Sequence, residues 1–72
     1  MKEVLIYTDS ITLGQFLKWA KVVETGGQAK NIILSGKVKV NGEIVLYRSR
    51  KLKPGDIVEV EGEKYIVVVG DR

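Results

Sequence analysis

Lys37 and Lys39 stand two residues apart in SGKVKVNG, the stretch from Ser35 to Gly42, with Val38 between them and Val40 following. On an extended strand the two lysines project from one side, about 6.6 Å apart, while the valines take the other. Like charges so placed repel and stabilise no sheet, so they face either solvent or a polyanion. They have company. From Gln15 to Lys53 nine bases (Lys18, Lys21, Lys30, Lys37, Lys39, Arg48, Arg50, Lys51, Lys53) stand against two acids (Glu24, Glu43), an excess of +7 in a chain whose net charge is +3. Residues 54–72 carry −3 and residues 1–14 carry −1. Such asymmetry predicts a basic face for nucleic acid or another anionic surface.

A second anion-seeking group is Gly26-Gly27. If a helix begins there, its first N–H groups and its dipole favour a phosphate. The competing reading is that a Thr25 cap already occupies those donors. The segment is not a P-loop, since it lacks both the spacing and the Lys-Ser/Thr pair. Catalysis is not expected. The chain has no histidine and no cysteine, so the common general bases and nucleophiles are missing, as are disulfides and thiolate or imidazole metal sites. Asp56 in Pro54-Gly55-Asp56 reads as a turn residue, and the serines and threonines at 8, 10, 12, 25 and 35 read as caps. No cofactor and no metal are therefore expected. Trp19 lies on the flank of its helix, where it either stacks on a base or, more simply, covers the edge of the core.

The elements that must position these groups follow from periodicity. Glu3 to Tyr7 is a β-rich run ending in the turn formers Thr8-Asp9-Ser10. Leu13, Phe16, Leu17 and Ala20 then fall on one helical face, which predicts a helix over 13–22. Thr12 with Gln15 forms a capping box at its start, and Ile11 against Phe16 a hydrophobic staple. Thr25 with Gln28 repeats the box ahead of Ala29, Ile32 and Ile33, so a second, short helix begins near Gly26. Gly36 supplies its left-handed stop. The remainder is β. Strand VKV leads through the Asn41-Gly42 turn to EIVLY over 43–47, then to the basic stretch RSRKLK. The Pro54-Gly55 turn, the half-wet strand DIVEV, the Glu61-Gly62 turn and a strand over 65–69 complete the chain, and the last of these is apolar on both faces and suits a central position. The fold class is α+β: two short packed helices beside a small, mostly antiparallel sheet, in one domain spanning 1–72. The start, MKEVLIYTDS, has too short an apolar run for a signal-peptide core, and no segment is long enough for a bilayer span, so a cytoplasmic protein without a membrane partner is expected.

Residues 11–56 resemble the RNA-binding domain family named after small-subunit ribosomal protein four, the S-four domain with its alpha-L motif. The resemblance is most specific at Gln28-Ala29, Ile33, Ser35-Gly36, Val38 and Val40-Asn41-Gly42, and continues to Lys53-Pro54-Gly55-Asp56. It implies a basic face that binds structured RNA, commonly ribosomal or transfer RNA, with the ribosome as a candidate partner. On that face Lys37 and Lys39 would meet phosphates beside Lys18, Lys21, Gln28 and Lys30. The chain departs from the family pattern at Thr12-Leu13-Gly14, where Arg-Leu-Asp is usual, and at Thr25-Gly26, where Ser-Arg is usual. Arg48, Arg50 and Lys51 are the bases that would replace the missing arginines. The small sheet with its PGD turn also resembles ubiquitin-like sulfur carriers, which implies a module for an acidic protein partner. The ending VVVGDR lacks the Gly-Gly that carrier chemistry requires.

Overall fold

In the computed structural model, which describes residues 1 to 70, the chain runs β1 (Lys2–Ile6), β2 (Ile11–Thr12), α1 (Leu13–Trp19), α2 (Gly26–Leu34), β3 (Val38–Val40), β4 (Glu43–Ile44), β5 (Lys51–Leu52), β6 (Ile57–Val60) and β7 (Glu63–Val69). Asp71 and Arg72, which close the VVVGDR ending, lie outside the described residues. The strands form a sheet in the order β1-β7-β6-β3-β4, with β2 and β5 as a separate antiparallel pair. Pairing is antiparallel except between β1 and β7, so the architecture is α+β with a mostly antiparallel sheet. As its two apolar faces require, β7 has a neighbour on each side.

Alternation along the strands divides the sheet into a covered and an open face. Val38, Val40, Val58, Val60 and Val67 are buried and join Phe16, Leu17, Ala29 and Ile33 of the helices in one core. Phe16 meets Tyr65 edge to face, with ring centroids 6.5 Å apart. The residues between those valines point away from the helices, and Lys39, Glu59 and Lys64 lie in register across β3, β6 and β7 on that open face. The hairpin turns use left-handed pairs: Asn41 and Gly42 at φ 51° and 87°, and Glu61 and Gly62 at 51° and 83°. That conformation matches the twist of two-residue hairpins.

Two elements are shorter than the sequence predicts. The periodicity carries α1 to Val22, yet the helix ends at Trp19, because Lys21 takes φ 61°. Val22 N–H then donates to Leu17 O at 2.9 Å and Lys21 N–H to Lys18 O at 3.0 Å, the bond pair of a Schellman stop. Val22 and Val23 prolong the apolar pattern because they still pack on the core from the loop. Likewise the strand expected over 43–47 pairs only through Ile44. Val45 turns inward and is buried, and the chain leaves the sheet to cross the start of α1.

Candidate nucleic-acid interface

The segment that follows Val45 is fixed by the helix it crosses. The first N–H groups of a helix lack internal acceptors, and here backbone carbonyls supply them: Leu13 N–H donates to Arg50 O at 2.8 Å and Gly14 N–H to Arg48 O at 3.0 Å. The close approach needs a small residue. A Cβ on Gly14 would sit 3.2 Å from the Arg48 Cβ, which accounts for the glycine at this position. Arg48 is thereby held between the two helices.

It lines a concavity of about 260 Å³ together with Thr12, Gly14, Gln15, Lys18, Gly26, Ala29 and Ser49. The start of α2 opens into the same space. Thr25 Oγ1 accepts from Gln28 N–H at 3.1 Å, and Gln28 Oε1 accepts in return from Thr25 N–H at 3.3 Å and from Glu24 N–H at 2.7 Å. The cap thus engages the third helical N–H rather than those of the glycines. Among the described residues, nothing lies within 4 Å of a Cβ built on Gly26, so an anion can approach the helix end closely. Around the N-terminus of α1 the reciprocal box is incomplete: Thr12 Oγ1 accepts from Gln15 N–H, and Gln15 lines the concavity instead of closing the cap.

The bases singled out in the sequence are divided among several surfaces. Lys18, Arg48 and the Gly26 backbone share the concavity, Gly27 follows on α2, and Lys30 joins Arg48 in an adjoining hollow with Ile33, Leu34, Leu46, Tyr47 and Ser49. Arg50 and Lys51 continue the crossing segment into β5. Gln28 stands at the cap with its carbonyl oxygen committed to two backbone donors. Lys21 lies elsewhere, in a groove with Lys2, Glu3, Trp19 and Tyr65. Lys37 and Lys39 occupy the open face of the sheet, in a shallow hollow with Glu59 and Glu61. They do not stand beside the helix lysines, because Val38 and Val40 must face the helices and strand alternation sends their neighbours the other way. The acids that share the hollow also cancel much of their field.

Trp19 does what edge coverage requires. Its ring is half exposed, and Nε1 donates to Leu5 O at 2.6 Å, occupying an acceptor on the outer strand β1. The sequence reading takes Tyr47 as a strand residue and Ser49 only as part of the basic stretch, and the structure sets both beside Lys30 and Arg48. The available signal was the apolar pair Leu46-Tyr47 running directly into Arg48-Ser49-Arg50-Lys51. Among the described residues there is no cluster of three or more carboxylates that could hold a metal, and no helix is long and apolar enough to cross a membrane.

Comparison with known proteins places this geometry among relatives. A family model described as S4 domain matches residues 4–68. The Bacillus subtilis (strain 168) protein RlbA, a probable ribosome maturation protein, is 51% identical over 59 residues, covering 82% of this chain and 83% of its own. Small ribosomal subunit protein uS4 of Bradyrhizobium sp. (strain ORS 278) is 45% identical over 51 residues, which is 69% of this chain but 25% of that protein. Among solved structures, the 30S ribosomal protein S4e from Thermoplasma acidophilum superposes with a TM-score of 0.74 at 31% identity, covering 89% of this chain and 34% of that one. The chain thus spans a quarter to a third of the ribosomal proteins it matches, and most of the length of RlbA.

Proposed function

The chain belongs to the S4 domain family, and from that premise we propose that it is a non-catalytic RNA-binding domain that grips structured ribosomal RNA by its phosphates. The observation that carries the reading is the convergence of Lys18, Arg48 and the open N-terminus of α2 on one concavity, with Lys30 at its border. Among the described residues, no acidic side chain lines that concavity. Ammonium, guanidinium and helix-end N–H groups bind phosphate by complementary means: a point charge, a planar donor fork and an aligned dipole. Arg48 here does the work that arginines on the helices do in the family pattern. The relative RlbA, matched over most of its length, supports a role in ribosome maturation, with the cytoplasm as the setting.

Phosphate contacts of this kind release counterions. With about four phosphates neutralised, log K for purified ribosomal RNA falls against log salt with a slope of roughly −3. A fluorescence-anisotropy titration at several salt concentrations measures it. A slope near zero would overturn the reading.

A further inference from the structure

Leu34, Leu46 and Tyr47 are exposed by 57%, 53% and 55%, and they crowd one hollow of about 270 Å³ between α2 and the crossing segment. Val45 before Leu46 and Tyr47 is buried, and the carbonyl of Arg48 after them is bonded to α1, so the segment that presents the two residues is anchored at both ends. A fixed apolar and aromatic surface in a domain this small is costly to leave in water. Its surroundings say what covers it. Lys30 and Arg48 line the hollow, no acid among the described residues does, and Arg48 and Ser49 are shared with the phosphate-binding concavity next to it.

We propose that Leu34, Leu46 and Tyr47 seat one unpaired nucleobase of the bound RNA, with Lys30 and Arg48 holding the phosphates on either side of it. This rests on the RNA-binding reading above and adds a class of RNA to it: a helix interrupted by a bulged or splayed-out nucleotide. Stacking on a tyrosine ring is tolerant of base identity, because every base offers a π-face. The seat therefore selects for an unpaired base rather than for a sequence.

Two RNAs test it, a hairpin carrying a one-nucleotide 2-aminopurine bulge and the same hairpin with that nucleotide paired. The wild-type domain binds the bulged hairpin more tightly, and the fluorescence of the bulged 2-aminopurine is quenched on binding. Tyr47→Ala weakens binding to the bulged hairpin by about tenfold and leaves binding to the paired one unchanged, while Tyr47→Phe keeps the preference. Equal affinity of the wild-type domain for the two hairpins, or no quenching, overturns the seat while leaving phosphate binding intact. That is also the result if the patch docks a protein. Failure of the wild-type domain to bind either hairpin overturns the RNA reading as well.

Discussion

At the scale of single residues, Asn41 and Asp56 join two turns that lie far apart in the chain. Asn41 Oδ1 accepts from Ile57 N–H at 2.9 Å, its Nδ2 donates to Asp56 Oδ1 at 3.1 Å, and Asp56 Oδ2 accepts from Lys53 N–H at 2.8 Å. The Val-Asn-Gly and Lys-Pro-Gly-Asp motifs are thus two halves of one hydrogen-bonded clasp. Asp56→Ala removes both acceptors and destabilises the domain by about 1–2 kcal/mol; Asp56→Asn, which keeps one acceptor, falls between. Urea denaturation of the three proteins checks the order. Gly36 makes a different demand, on the backbone alone: it holds φ 78°, yet a Cβ there would meet nothing within 4 Å. Gly36→Val therefore costs on the order of 1–2 kcal/mol by strain with no steric clash. An unchanged melting temperature would show that the helix stop does not depend on it.

At the scale of elements, α2 and β3 show what a sequence can specify. The Thr25 box, the Gly36 stop and the Val38-Val40 alternation each rest on local chemistry, and each forms as local rules predict. Val38→Ala and Val40→Ala should each lose about 1–2 kcal/mol through missing burial, with RNA affinity per folded molecule retained. A thermal melt beside an RNA titration separates the two quantities. The end of α1 was not legible, because Lys21 takes a left-handed conformation that a glycine or asparagine would have announced. The site was harder still. The nine bases are visible in the sequence as a charge excess, but the face each takes depends on strand alternation relative to a core that only the assembled sheet defines. Arg48 comes beside Lys18 through a backbone bond between Gly14 and Arg48, 34 positions apart in the chain, a placement that no periodicity encodes.

At the scale of the whole molecule, the bases of the +7 stretch divide among a helix-side surface, the groove that holds Lys21, and an open sheet face where lysines and glutamates alternate. On the first, Lys18, Lys30 and Arg48 gather with no acid among the described residues beside them, the arrangement that raises positive potential. The central claim is that RNA is held there, and a pair of charge-reversed variants tests it most directly. Lys18→Glu with Arg48→Glu and Lys37→Glu with Lys39→Glu change the net charge equally, by −4, and all four side chains are exposed, so both proteins should keep the parent's unfolding free energy to within about 0.5 kcal/mol per site. The measurement is the dissociation constant of each variant for ribosomal RNA at one fixed, moderate salt concentration. The account predicts that the Lys18 and Arg48 variant loses most of its affinity and that the Lys37 and Lys39 variant shows only the smaller, long-range loss due to net charge. Equal losses, or a greater loss from the sheet lysines, would contradict it.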